Sequence, residues 1–269
     1  MNREAKWIGF GRSETGHIRQ SNQDVFATID SCQFWIVADG MGGHRGGDIA
    51  ARLAVDTATE RARVLFSPGE QASGTIGHRL TECLIAANEA IHRRTIEEPS
   101  LKGMGTTAVA MALSPTPDPV AHIAHLGDSR AYRFHQGTLT QLTRDHSLVN
   151  LLLERGVIDA ATAKSYPDQH ILAKGLGIGL HMKPDLVSTP LDQEDLVVLC
   201  SDGLTKMLDD DALCSIISRA EGHPQRACNT LVDEALRRGG EDNVTVIVCG
   251  LERSRSFDVL PIDKTQAAM

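Results

Sequence analysis

Two β-prone apolar runs in this chain, residues 34–38 and 196–200, each lead into a carboxylate followed by glycine: Asp39-Gly40 and Asp202-Gly203. A carboxylate at the end of a buried strand is held rigidly. The glycine after it lets the backbone turn at once and exposes its own carbonyl. Repeating that arrangement is how a fold presents several oxygen ligands to one hard cation cluster. Asp128, in Leu126-Gly127-Asp128-Ser129-Arg130, also closes an apolar run, and Glu241-Asp242-Asn243 precedes another.

The other elements follow from periodicity. Further strand-like runs cover 6–10, 25–30, 105–113, 120–126, 131–134, 138–142, 186–189 and 244–249. Ile49, Ala50, Leu53, Ala54 and Thr57 share one face of a first helix. Ile76, Leu80, Cys83, Leu84, Ala87 and Ile91 form the apolar stripe of a second, with Pro68-Gly69 between them. Two more helices, 209–220 and 224–238, lie between the last two strands. A proline-rich turn at 114–119 and Gln136-Gly137 mark hairpin connections. From Asp145 the pattern breaks into short helical pieces and loops, with Gly156, Pro167, Gly175, Gly177 and Gly179, which reads as a mobile insertion. Strands in neighbouring runs and helices in pairs are not strict βαβ alternation, so an α+β layered sandwich is expected.

At 269 residues the chain suffices for one large domain or two small ones. Its net charge of −8 argues against a nucleic-acid surface, which needs clustered lysine and arginine. The six cysteines form no Cys-x-x-Cys pair and mostly lie in apolar patterns, as expected of free buried thiols in a reducing compartment. No apolar leader or membrane-length segment is visible, so a soluble, cytoplasmic protein is expected.

Asp39, Asp128, Asp202 and Asp242 are all oxygen donors, with no histidine or cysteine partner at zinc-like spacing. Such a set suits magnesium or manganese. Any one of them alone would be a turn residue or a helix cap. Arg19, in Arg19-Gln20-Ser21-Asn22-Gln23-Asp24, could capture a phosphate or carboxylate through two parallel hydrogen bonds, or be a plain surface residue. Asp24 could be a ligand or orient one. The glycine-rich stretch 40–47 has neither the P-loop ending nor Gly-x-Gly-x-x-Gly spacing. Its small residues suit close backbone approach to metal and water, and His44 within it is the histidine best placed to touch the site. Gly103-Met104-Gly105-Thr106-Thr107 reads as a tight, packed strand entry. No Gly-x-Ser-x-Gly or Ser-His-Asp arrangement is present.

The segments 19–24, 37–43, 103–107, 127–130, 201–203 and 241–243 together resemble the metal-dependent protein phosphatases of type 2C, in their bacterial form. The resemblance spans about residues 6–250. It implies a four-layer αββα sandwich, two mainly antiparallel sheets flanked by helix pairs. The catalytic domain would cover 1–250, with a flap at about 145–184 and a tail from 251 to 269. It implies two magnesium or manganese ions. Asp39 would bridge both, and Gly40 would give its carbonyl to one. Asp202 and Asp242 would complete the other, and Asp128 with Asp202 would hold a weaker third. Arg19 would bind the substrate phosphate, and Asp24 would act behind the ligands or through water. Met41 stands where animal members carry a histidine suited to protonating the leaving group. The implied activity is hydrolysis of protein phosphoserine and phosphothreonine by a metal-bridging hydroxide, opposing a cognate Ser/Thr kinase, in a monomer with no nucleic-acid or membrane partner. The alternatives are a catalytically silent binding module, which would be expected to lack a metal aspartate, and a hydrolase of small phosphate esters.

Overall fold

In the strand Phe34–Met41, Phe34, Ile36 and Ala38 face one way and Trp35 and Val37 the other, and all five side chains are fully buried. A strand covered on both faces must lie inside a layered molecule. The computed structural model describes residues 6–41, 46–67, 74–114, 118–164, 166 and 171–252. His44 with the rest of 42–45, the Pro68-Gly69 turn, residues 115–117, Pro167 and the tail from 253 lie outside the described residues.

The strands are β1 (Trp7–Glu14), β2 (Asp24–Ile29), β3 (Phe34–Met41), β4 (Gly105–Thr106), β5 (Ala108–Leu113), β6 (Val120–Leu126), β7 (Arg130–His135), β8 (Thr138–Gln141), β9 (Asp185–Pro190), β10 (Leu196–Cys200) and β11 (Val244–Leu251). The helices are α1 (Gly47–Leu65), α2 (Ile76–Glu97), α3 (Leu148–Glu154), α4 (Ala160–Lys164), α5 (Asp202–Met207), α6 (Asp210–Arg219) and α7 (Pro224–Arg237). One sheet runs β1-β11-β10-β7-β8. The other runs β2-β3-β5-β6-β9, with the short β4 paired to β3. Every strand pairing is antiparallel.

Three apolar layers separate four layers of structure. Trp7, Trp35, Val37, Met111, Ile123, Val197, Leu199 and Ile247 fill the space between the sheets. Phe34, Ile36 and Ala38 meet α1 and α2 on the far side of the second sheet. Leu196, Val198 and Cys200 meet α5, α6 and α7 on the far side of the first. This is the expected α+β sandwich. All six cysteines are free, and Cys83, Cys200, Cys228 and Cys249 are buried.

Three details differ from the sequence reading. Ile49 is 37% exposed, and α1 buries Ala51, Val55, Ala58 and Ala62 along with the expected Ala50 and Ala54, because small side chains let the helix lie close to the sheet. β1 continues past residue 10 to Glu14, paired along its whole length with β11. Its polar end hides the strand because it is a sheet edge. The insertion after Asp145 is not loose throughout. Leu176 is fully buried in the α1–α2 core, and its backbone exchanges hydrogen bonds with Thr106. The Asn88 side chain accepts from Gly177 N at 2.8 Å and donates to the carbonyls of Gly179 and Leu180, each at 3.0 Å.

The antiparallel order sets where the functional residues meet. β3 and β6 end, and β2 and β5 begin, at one edge of their sheet, so Asp39, Asp128, Asp24 and Thr107 gather there. Asp24 lies directly opposite Asp39 in the β2–β3 register. In the other sheet β1 and β10 end, and β7 and β11 begin, at one edge, which gathers the Arg19 loop, Asp202, Arg130 and Asp242.

Candidate metal centre

A cleft of about 680 Å³ opens where those two edges meet. Its lining includes Arg19, Asp39, Gly40, Asp128, Asp202 and Asp242, so the structure brings together six of the seven residues singled out from the sequence. The seventh, Asp24, is buried behind the lining, where its Oδ2 accepts a 2.7 Å hydrogen bond from Ser201 Oγ. Met41 lines the cleft too, and a thioether has no proton to give.

Each carboxylate is held by its surroundings. Thr106 Oγ1 donates to Asp39 O at 2.8 Å, and Asp39 N donates to Thr107 Oγ1 at 3.1 Å, so β4 and β5 clamp the end of β3. The strand entry expected only to pack thus fixes the Asp39 backbone. Gly40 is needed because a Cβ there would overlap the Gly47 carbonyl oxygen. Gly203 is needed because a Cβ would overlap the Asn243 carbonyl oxygen, which lets α5 begin against the Asp242 loop. Asn243 fastens the Arg19 loop to this edge. Its Oδ1 accepts from Gln23 N at 2.9 Å, and its Nδ2 donates to Thr15 O at 2.9 Å and Ser21 O at 3.0 Å. Arg130 grips Asp145 with Nε–Oδ1 at 2.9 Å and Nη2–Oδ2 at 2.7 Å, joining β7 to the base of the flap. Leu172, on the flap's return limb, reaches the cleft lining.

Arg19 does not stand free at the rim. Its Nε lies 2.9 Å from Asp242 Oδ1 and its Nη2 3.0 Å from Oδ2, a two-point pair. Lys206, not singled out from the sequence, lies 2.6 Å from Asp202 Oδ2 and 2.8 Å from Asp242 Oδ2. Lys206 follows Asp202 by one turn of α5. Its contact with Asp242 is a product of the fold.

The electrostatics are those of crowded carboxylates. Burial, then the charges of Asp24, Asp202, Asp128 and Asp242, push Asp39 well above the ordinary carboxylate range. Burial, then Asp202 and Asp145, push Asp128 up to about 7. Burial raises Asp24 to about 6 against the hydrogen bond from Ser201. Burial also works to raise Asp242, but the hydrogen bond and charge of Lys206, with Asn243 N–H and Arg19, hold it below its ordinary value. Asp202 Oδ1 is buried with no hydrogen-bond partner among the described residues. A buried carboxylate oxygen without a donor, among like charges that raise one another's pKa, fits a divalent cation. The donor set is all oxygen, which favours magnesium or manganese over zinc.

A second acidic group, His135 with Asp192 and Asp195, lies at the opposite end of the sandwich. There Asp195 Oδ1 takes His135 Nδ1 at 2.6 Å and Oδ2 takes Arg133 Nη2 at 2.7 Å, so both its oxygens already have side-chain partners.

An α+β sandwich with four carboxylates and an arginine lining one cleft is the architecture expected of a metal-dependent phosphohydrolase. Comparison with known proteins carries the class to a family. A protein-family model described as Protein phosphatase 2C matches residues 15–238. The serine/threonine phosphatase stp of Listeria welshimeri is 35% identical over 242 residues, covering 88% of this chain and 93% of that protein. The crystal structure of the Mycobacterium tuberculosis serine/threonine phosphatase PstP/Ppp superposes with a TM-score of 0.79 at 30% identity, covering 92% of this chain and 100% of that one. A structure of the PstP catalytic domain in complex with 2 manganese ions gives 0.77 at 30% identity, covering 93% and 100%. The chain belongs to the protein phosphatase 2C family. It is a metal-dependent protein serine/threonine phosphatase.

Proposed function

We propose that the cleft is the catalytic centre and that it works with two magnesium or manganese ions. Asp39 would serve both, the Gly40 carbonyl would serve one, and Asp202 and Asp242 would serve the other. Asp128 and Asp202 offer a third, weaker position, supported by a second cavity of about 320 Å³ on the flap side that both of them line. The observation that carries this reading is the convergence of four carboxylates from both sheets on one cleft, with Asp202 Oδ1 left without a donor among the described residues. When bound, such ions supply Lewis acidity and make a water acidic enough to attack phosphorus near neutral pH.

The chain's own residues do the rest. Arg19 offers a planar, two-donor fork to the phosphoryl oxygens, exchanging Asp242 for substrate. Asp24, behind the lining, tunes the cluster through Asp39, which faces it across the β2–β3 ladder. The flap, 145–184, borders the cleft and helps select the protein substrate. The physiological setting that fits is a monomer in the cytoplasm, reversing a cognate Ser/Thr kinase in signal transduction. Among the described residues no helix is long and apolar enough to cross a membrane.

Steady-state kinetics on phosphothreonine peptides and on a small aryl phosphate test this reading. The expected result is a higher kcat/KM on at least one peptide. Turnover of the aryl phosphate with no turnover of any phosphopeptide would replace it with a small-ester hydrolase.

A further inference from the structure

Lys206 sits between the two carboxylates that the proposed centre gives to one ion. Its Nζ is 2.6 Å from Asp202 Oδ2 and 2.8 Å from Asp242 Oδ2. This is not an ordinary surface pair, which would be worth little. The Asp202 and Asp242 side chains are only 18% and 15% exposed, and the lysine side chain 29%. Asp242 also carries the two-point contact from Arg19. Asp39 and Asp128 have no such cation against them among the described residues. Positive charge from the chain itself is thus concentrated on one half of the carboxylate cluster.

We propose that Lys206 is a resident counter-ion of the Asp202–Asp242 pair that competes with the divalent ion for the same oxygens, and so sets the metal concentration at which that half of the centre fills. The inference rests on the assignment of Asp202 and Asp242 as metal ligands. Its physics is direct. An ammonium hydrogen-bonded to a carboxylate oxygen draws on the electron pairs a metal would use, and it repels a second cation at contact distance. A divalent ion entering there must displace Lys206 or bind against its charge. An ion on the Gly40 side of Asp39 meets no such competitor. The two halves therefore fill at different metal concentrations. In the absence of metal, Lys206 stabilises the crowded carboxylates.

The test uses the full chain, stripped with chelator, dialysed, and titrated with Mn²⁺ by calorimetry and by thermal melting. In Lys206→Gln the binding step that Asp242→Asn removes tightens about tenfold or more, within the range outer partners of metal sites are worth. The metal-free melting temperature falls, and the rise on adding Mn²⁺ grows. Lys206→Arg keeps the charge and keeps wild-type values. Asp242→Asn loses the step assigned to the Asp202–Asp242 half. If Asp242→Asn binds Mn²⁺ as wild type does, the ligand assignment itself fails, and the competition with it. If Asp242→Asn loses the step while folded Lys206→Gln binds Mn²⁺ equally or more weakly, the ligand assignment stands and the competition is overturned. Lys206→Arg behaving like Lys206→Gln overturns it as well.

Discussion

Asp39 sits near the end of β3 and Asp202 opens α5 just after β10, so one comes from each sheet, and both line the same cleft. Asp39→Asn and Asp202→Asn should each reduce turnover by more than the roughly 10–100-fold typical of residues that only orient metal ligands. Circular dichroism should show both variants folded. A variant that keeps more than about a tenth of the wild-type rate would refute its role as a ligand. For Arg19 the expected order of turnover is wild type, then Arg19→Lys, then Arg19→Ala, because lysine lacks the planar fork. Equal rates for all three would remove Arg19 from phosphate binding. The carboxylates were legible because each stands beside a strand-length apolar run or a glycine turn. Lys206 and Asn243 were less so, because their partners include residues that only the closed sandwich brings near. Asn243 reaches Thr15 and Ser21, more than two hundred positions earlier in the chain.

The flap shows how an element can be half anchored. Leu176 is fully buried in the helix-side core, whereas among the described side chains of α3 and α4 only Val149 and Ala163 are buried. Hydrogen exchange should therefore be slow at Leu176 and Gly177 and fast across 148–164. Uniformly fast exchange from 148 to 178 would contradict the anchoring. Leu176→Ala should cost about 2–5 kcal/mol of stability, as for other buried leucines, measured by denaturant unfolding. Removing residues 156–164 should alter peptide preference more than hydrolysis of an aryl phosphate, which needs only the centre and Arg19. The long strands and helices were legible from their periods. The anchored return limb was not, because its glycines and lack of period look like loop, and its order comes from Asn88 on α2. Helix α5 was missed because six residues are too few for a helical period to show.

At the scale of the whole molecule, the carboxylate cluster links stability to pH and metal. Asp24 and Asp128 have folded-state pKa values near 6 and 7 against an ordinary 3.8, and Asp39 is raised as well. Between those limits the folded chain binds more protons than the unfolded one, so this contribution to stability is lost as pH rises through the window. Asp242 shifts the other way, and its contribution is lost only as pH falls below its ordinary 3.8. Chelated protein should therefore melt at a higher temperature near pH 5 than near pH 8, and saturating Mn²⁺ should flatten or reverse that slope. A slope that Mn²⁺ does not alter would separate the cluster from metal binding. The most direct test of the account is phosphate release from a phosphothreonine peptide by chelator-stripped enzyme, followed as Mn²⁺ or Mg²⁺ is added back. The prediction is no turnover without metal and full recovery on addition. Undiminished turnover by the metal-free protein would contradict it.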